Sequence, residues 1–406
     1  MTDTADTADA AGIFPTRPSQ LSLTALFLKF LRFGALAFGG PVAQIAMIRQ
    51  SLVEEEGWIE PRRFNRLLAI LQILPGPEAH ELCVHMGMVA RGRIGGLLAG
   101  LGFMLPGFLL MLLAGWLYMG WIAGNPSMTG LLLGVQIAVL AIILRAVVRI
   151  GQHIVESRLL GVIAVIAFVA TLLGVPFWLL LAAGAIAHIM PDRPWLAIAI
   201  MLGLTAAAKL ALPHLPLLHA APIAPTGAPV TLAMLFFAGL KGGLLTFGGA
   251  YTAIPYVRAD TVGRGWISDA TFLDGVALAG LLPAPLVIFA TFVGYVVGGP
   301  VGAFAITAGM FLPAFAFSLL FFERLEAVVK HPALHHALAG VAAAVLGIIA
   351  ATFVDLSRAT GAHIDNGLIA LPIFTVALII AWRVKGAWVT PAIMAAGALA
   401  GGLLPL

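Results

Sequence analysis

Charge is scarce in this chain. Only 10% of its 406 residues are Asp, Glu, Lys or Arg, where a soluble domain carries about 25%. With 61% hydrophobic residues and a mean hydropathy of +1.05, the composition excludes an ordinary soluble fold. Cysteine is nearly absent too. A lone Cys83 excludes an internal disulfide and argues against a thiolate metal centre. No GxxxxGK(S/T) loop occurs, so there is no P-loop ATPase; HExxH and GxSxG are missing, which removes the commonest hydrolytic signatures. No enzyme and no cofactor are expected. The first twenty residues lack a basic stretch and carry Asp3, Asp6 and Asp9, so they read as neither signal peptide nor anchor. Residues 1–22 are expected to be a disordered cytoplasmic tail.

What is present is apolar length, 46 glycines, 25 prolines and eight tryptophans. That mixture fits an all-α polytopic membrane protein with closely packed helices. Apolar runs long enough to cross a bilayer fall at about thirteen places: 24–48, 67–90, 94–118, 128–148, 159–175, 177–190, 195–212, 230–257, 272–297, 301–322, 334–354, 368–382 and 387–404. The shortest clear outlier, 177–190, is the weakest of these.

Two runs contain a helix breaker where a continuous helix would be expected. Phe38-Gly39-Gly40-Pro41 interrupts the first, and Phe247-Gly248-Gly249-Ala250 interrupts the run that begins at 230. Proline lacks an N–H and glycine frees the backbone, so neither stretch favours an unbroken helix. In a bilayer such a break survives only where protein or a water-filled cavity satisfies the freed backbone. Matched breaks in two halves of a chain point to a transporter's substrate site.

Superposing the two FGG elements exposes an internal repeat. Phe27 falls on Phe236, Arg32 on Lys241, Gly34 on Gly243 and Arg49 on Arg258. One residue shorter, Gly57-Trp58-Ile59 meets Gly265-Trp266-Ile267, and Pro75-Gly76-Pro77 meets Pro283-Ala284-Pro285. After one more deletion, Gly95, Gly102 and Pro106 meet Gly302, Gly309 and Pro313. The expected division is a first repeat over 23–191, a linking helix and proline-rich loop over 192–229, and a second repeat over 230–406. One extra crossing between six-helix units would invert the second relative to the first. The placement of Lys and Arg favours the N-terminus inside and the C-terminus outside.

These motifs resemble the chromate ion transporter (CHR) family in its long, two-domain form. The resemblance rests on Phe38-Gly39-Gly40-Pro41, on Gln72-Ile73-Leu74-Pro75-Gly76-Pro77-Glu78-Ala79, on the 95–107 run ending Leu105-Pro106-Gly107, and on Thr246-Phe247-Gly248-Gly249-Ala250-Tyr251. PGPEA is the most specific piece. The resemblance implies a chromate exporter of a bacterial inner membrane, with sulfate as a competing look-alike. His80-Glu81 after PGPEA departs from the family's usual neutral polar residues. Lipid is the expected surrounding, nucleic acid is not a partner, and a homodimer is left open.

A tetrahedral dianion in a membrane needs N–H donors and positive charge, which broken helices supply. The expected binding set is Arg32, Phe38, Gly39, Gly40 and Pro41 from one half, with Lys241, Thr246, Phe247, Gly248, Gly249 and Tyr251 from the other. Arg32 and Lys241 are expected either to converge on the anion or to snorkel to an interface. Arg49 and Arg258 read as interfacial anchors or as a gate. Pro75, Gly76, Pro77, Pro283 and Pro285 mark further helix breaks. Glu78, Glu81 and His85 share one helix face, and Glu78 should pair with Arg32 or Lys241, carry a proton, or simply start its helix. Asp274, opposite Arg66 in the repeat, reads as lying near a loop. His331, His335 and His336 read as a solvated loop without metal. A dianion leaving a negative interior gains roughly 4.6 kcal/mol per 100 mV, about three decades of gradient. Export needs no coupling ion on that arithmetic. An intramembrane enzyme or a scaffold is the alternative from another class, and neither requires matched cations beside matched breaks.

Overall fold

The computed structural model describes residues 21–71, 74–189, 194–211, 229–247, 249–321, 332–384, 386 and 388–404. The tail over 1–20, the loop over 212–228, Gly248 and His331 lie outside the described residues. The first half contains α1 (Leu23–Ala35), α2 (Gly40–Arg49, prolonged by a π-helical turn Gln50–Glu55), α3 (Pro61–Leu71), α4 (Glu78–Leu117), α5 (Pro126–Ile154), α6 (Arg158–Leu172) and α7 (Phe177–Ile189). Helix α8 (Pro194–Ala211) follows. The second half contains α9 (Leu232–Leu244), a 3-10 turn Ala250–Ala253 leading into α10 (Ile254–Thr261), α11 (Asp269–Leu281), α12 (Phe289–Ala316), α13 (Pro332–Gly361), α14 (Gly367–Arg383) and α15 (Val389–Leu403). Local chemistry sets many of these starts. Ser22, Asn125, Ser157, Thr231, Ser268 and Asn366 each accept a backbone N–H of the first turn they precede.

At the FGG, PGP and PAP elements, where broken or re-entrant helices are expected, four of the apolar runs are interrupted. Helix α1 stops at Ala35 and α2 starts at Gly40, and the chain then folds back. Trp58 reaches Phe30, with ring centroids 6.3 Å apart, and Glu56 forms an ion pair with Lys29. Run 24–48 is therefore a helical hairpin with the FGG element at its tip. In the second half Lys241 pairs with Asp260 at 2.6 Å, and Val257 lies against Gly242. Run 230–257 folds back likewise. Runs 67–90 and 272–297 are interrupted over 74–77 and 282–285, at the PGP and PAP elements.

Helices α4 and α12 contain the sharpest bends. Arg91 and Gly92 adopt φ/ψ of −141/30° and 61/−158°; Gly298 and Gly299 adopt −138/21° and 63/−159°. Both pairs lie 207 residues apart, the repeat offset of this region. A left-handed residue there reverses the chain at little steric cost only as glycine. Each helix consequently folds into two arms, with Gly87 against Gly95 and Gly294 against Gly302. The second arms carry the neighbouring hairpins. Gly102 abuts the Phe27 carbonyl of α1, and Gly309 abuts the Phe236 carbonyl of α9.

The halves are interlocked through their remaining helices. Helix α5 packs on α14 and α15, α13 packs on α6 and α7, and α4 meets α12. Glycines make these crossings close: Gly134 faces Gly397 and Gly401, while Gly340 faces Gly184. Among the described residues four stretches are long and apolar enough to cross a membrane, Glu78–Ile122, Pro126–Ile154, Leu286–Leu320 and His336–Gly361, and shorter apolar helices accompany them. The exposed surface includes Trp121, Trp195, Trp388, Leu368 and Leu403. Large apolar side chains turned outward mark a lipid-facing surface. The protein is an all-α, multi-pass membrane protein.

Candidate transport site

The four hairpin tips meet in crossed pairs. The N–H of Gly76, in the first half's PGP tip, donates to the Thr246 carbonyl of the second half's FGG tip at 2.9 Å. Reciprocally, the buried Gln44 amide, at the start of α2, donates to the Ala37 carbonyl at 2.8 Å and to the Ala284 carbonyl of the PAP tip at 3.0 Å. The same pairing appears in the packing beneath. A methyl on Gly107 of α4 would strike Ala284, and one on Gly76 would press on Ala314 of α12. Gly107 and Ala314 are repeat equivalents.

The first FGG tip leads directly into a helix start. Gly39, at φ 85°, precedes α2 with no side chain capping its first turn; Gly40 is partly exposed and Pro41 occupies the first turn, where a missing N–H costs nothing. Phe38 stacks on Trp388 of the other half at 4.7 Å. In the second tip Thr246 is buried, and its hydroxyl donates to the Gly242 carbonyl at 2.6 Å. The Phe247 N–H donates to the Thr252 hydroxyl, which in turn donates to the Gly249 carbonyl at 2.7 Å. Tyr251 follows in the 3-10 turn, half-buried.

The two matched cations differ in their surroundings. Lys241 is bound to Asp260 and lies over the Phe177 ring at 4.6 Å. Asp260 also accepts Arg264 at 3.1 Å. Arg32 is exposed at the end of α1. The reason lies two residues past the matched Arg49 and Arg258. There the second half has Asp260 and the first has Ser51. The outer pair is equally uneven. Arg49 is partly exposed and pairs with Glu54, whereas Arg258 makes a bidentate bond to Asp269 at 2.6 and 3.0 Å and reaches Asp355 at 3.7 Å. Arg258 thus ties α10, α11 and α13 together.

Glu78, Glu81 and His85 do share one face of α4, and all three are buried. Neither Glu78 nor Glu81 is within ion-pair distance of a cation among the described residues, so the expected pairing of Glu78 with Arg32 or Lys241 does not form. The Glu81 carboxylate sits directly beneath the PGP tip. A methyl on Gly76 would lie 2.7 Å from its Oε1, and neither oxygen has a hydrogen-bond partner among the described residues. His80 is enclosed edge-on by Phe311 and Phe315, at 4.9 and 4.7 Å. Pro75, Gly76 and Pro77 form one tip, and Pro283 and Pro285 flank Ala284 in the other.

Three features escaped the sequence reading. Gln44 was visible as a lone amide in an apolar run, yet nothing local says that it spans two tips. Arg145 reads as a loop charge but sits well inside α5, where its guanidinium interacts electrostatically with Tyr251 and no acid pairs with it among the described residues. Asp274, expected near a loop, is buried within α11 and accepts Tyr118 and Gln136.

The chromate transporter family model matches residues 24–189 and 233–402. The chain belongs to the chromate transporter family. Among its relatives is the chromate transport protein of Pseudomonas aeruginosa, 53% identical over 93% of this chain and 92% of the relative. The chromate transport protein of Cupriavidus metallidurans is 33% identical over the same shares. A probable chromate transport protein of Synechococcus elongatus is 31% identical over 92% of this chain and 93% of its own length. No solved structure matches the chain. Both family segments include an FGG hairpin and a PGP or PAP tip, so the crossed contacts lie wholly within the family's own territory.

Proposed function

We propose that this chromate transporter family member is a secondary transporter that exports chromate across the cytoplasmic membrane of a bacterium, driven by the membrane potential. The observation that carries the reading is the crossed meeting of four helix-breaking tips, two from each half. In the proposed topology the N-terminus is cytoplasmic and the second half is inverted. The FGG and PGP hairpins then enter from the inside, their partners enter from the outside, and all four end within the bilayer. Backbone N–H groups of Gly39 and Gly40 in one tip and of Gly249 in the other would cradle the oxyanion. Arg145, within electrostatic reach of Tyr251, supplies positive charge to that cradle, and exposed Arg32 adds charge on the cytoplasmic approach. Lys241 remains committed to Asp260. Arg49 serves as an interfacial anchor, and Arg258 holds the second half's hairpins in place as a gate lock.

A potential of 100 mV supplies roughly 4.6 kcal/mol to a departing dianion, enough for outward transport without a second ion. Glu81 favours a proton-coupled second reading, because an ionised carboxylate buried without a cation is costly and this one touches a tip that joins the halves. Sulfate, of the same shape and charge, is the expected competitor.

The test is chromate efflux from proteoliposomes, scanned across membrane potential with equal pH on both sides. Efflux that rises with potential and is competed by sulfate supports the uncoupled exporter. Efflux that requires a pH gradient and disappears in Glu81→Gln moves the mechanism to proton coupling. Absence of chromate flux overturns the substrate assignment.

A further inference from the structure

A second polar centre lies away from the tips. Asp274 is only 3% exposed. Its Oδ2 accepts the Tyr118 hydroxyl at 2.7 Å and its Oδ1 accepts the Gln136 amide at 2.8 Å. The amide nitrogen also faces the Ala270 carbonyl at 3.4 Å, so two acceptors fix its orientation. These three residues line a cavity of about 340 Å³ whose wall includes Asn125, after α4, and His363, after α13. Tyr118 and Gln136 belong to the first half and Asp274 to the second. The bonds therefore tie the two halves together at the cavity floor.

Few other ionisable groups face this carboxyl. From the π-helical turn Tyr118–Ile122, directly after α4, comes Tyr118, whose ring packs edge-on against Phe292 of α12. His363 lines the cavity, and Asp269 on the same helix is engaged by Arg258, which also reaches Asp355 of α13. Helices α12 and α15 carry no acidic or basic residue, and the cations of α5, Arg145 and Arg149, lie two or more turns beyond Gln136. No cation pairs with Asp274 among the described residues. Both neighbours present hydrogens to it, which suits an ionised carboxylate and leaves a metal ion no adjacent acceptor from that pair. A proton is different. On the protonated acid the Oδ2–H can donate to the Tyr118 oxygen, whose own hydrogen turns into the cavity, while Gln136 keeps its bond.

We propose that Asp274 is a proton-binding site, filled through the cavity between the loop after α4 and the loop after α13, and that its occupancy sets how firmly α11 is tied to the first half. The inference rests on the transporter reading. In the proposed topology the cavity opens to the exterior. Proton uptake weakens the charge-assisted bonds to Tyr118 and Gln136, and α11 leads straight into the PAP tip that Gln44 holds. Transport therefore responds to external pH even without a pH gradient.

The experiment measures chromate efflux at fixed potential between about pH 5 and 8, with both sides at the same pH, for the wild type, Asp274→Asn and Asp274→Glu. We expect wild-type efflux to change severalfold, Asp274→Asn to be flat, and Asp274→Glu to regain a pH dependence. Infrared difference spectra across the same range read the site without flux: a protonated-carboxyl carbonyl band should titrate in the wild type and vanish in Asp274→Asn. An Asp274→Asn profile that follows the wild type, or a titrating band unchanged by the substitution, overturns the proposal. A titrating band in a protein with no chromate flux leaves the proton site standing and overturns only the transport reading.

Discussion

Lys241 and Arg32 occupy matching positions and yet differ because Asp260 replaces the first half's Ser51. Asp260 is buried, and its side chain is 8% exposed between Lys241 and Arg264. Removing one partner of a buried pair costs about 3–5 kcal/mol; Arg264 remains, so Lys241→Met should fall at or below that range. Thermal unfolding in detergent checks this. The double substitution Lys241→Met with Asp260→Asn should recover part of the loss and retain chromate efflux, since the buried acid leaves together with Lys241 and only Arg264, a quarter exposed, stays charged. Efflux lost in the double variant would place Lys241 at the anion after all. Arg145 supplies the opposite expectation. Arg145→Gln should insert normally but lose most efflux at subsaturating chromate, and Arg145→Lys should restore part of it.

At the scale of the element, the reversals in α4 and α12 carry the argument. Gly92 and Gly299 have φ near 60°, so a side chain there meets the penalty of about 1–2 kcal/mol for left-handed backbone. Gly92→Ala and Gly299→Ala should each lower the melting temperature by a similar amount. Gly120, which has open space around its Cβ direction and no such φ, is the control and should tolerate alanine. The interlocking helices fail differently. Gly134→Leu drives a branched side chain into the Gly397 and Gly401 backbone, and should separate α5 from α15 rather than locally strain a turn. Loss of folded protein in size-exclusion chromatography is the expected outcome.

For the whole molecule, the crossed tips and swapped helices make neither half a freestanding unit. Gln44 is the most economical probe of that dependence. Gln44→Leu leaves the Ala37 and Ala284 carbonyls without their donor inside the protein, a loss of about 1–3 kcal/mol per unsatisfied group. Because Ala284 lies on a moving tip under the proposed mechanism, efflux should fall by more than stability does. Inverted topology has its own measurement. In a Cys83→Ser background, cysteines at Asn125 and Asp365 should label from outside, and those at Ser157 and Gly386 from inside. Labelling of Asn125 and Asp365 from opposite faces would overturn the inversion.

Composition alone made this an all-α membrane protein, because a chain with so little charge has no polar surface to offer water. The repeat was equally legible, since glycines and prolines punctuate both halves at matching intervals and backbone reversal needs those residue types. Gly92 and Gly299 are matched in sequence and nearly identical in dihedral angles for that reason. The tertiary structure decided what the interrupted runs do. A hydrophobic run of about 25 residues reads as a span by length, but the Lys29–Glu56 and Lys241–Asp260 pairs hold two such runs folded back, and those contacts lie beyond the one-turn reach of helical periodicity. It also decided the partners of single polar residues. Gln44 looked like an isolated amide in an apolar segment, and Arg145 and Asp274 read as charges in or near loops. Their roles depend on which helices are brought beside them, and the Gln44 and Asp274 hydrogen bonds cross between halves more than 130 residues apart.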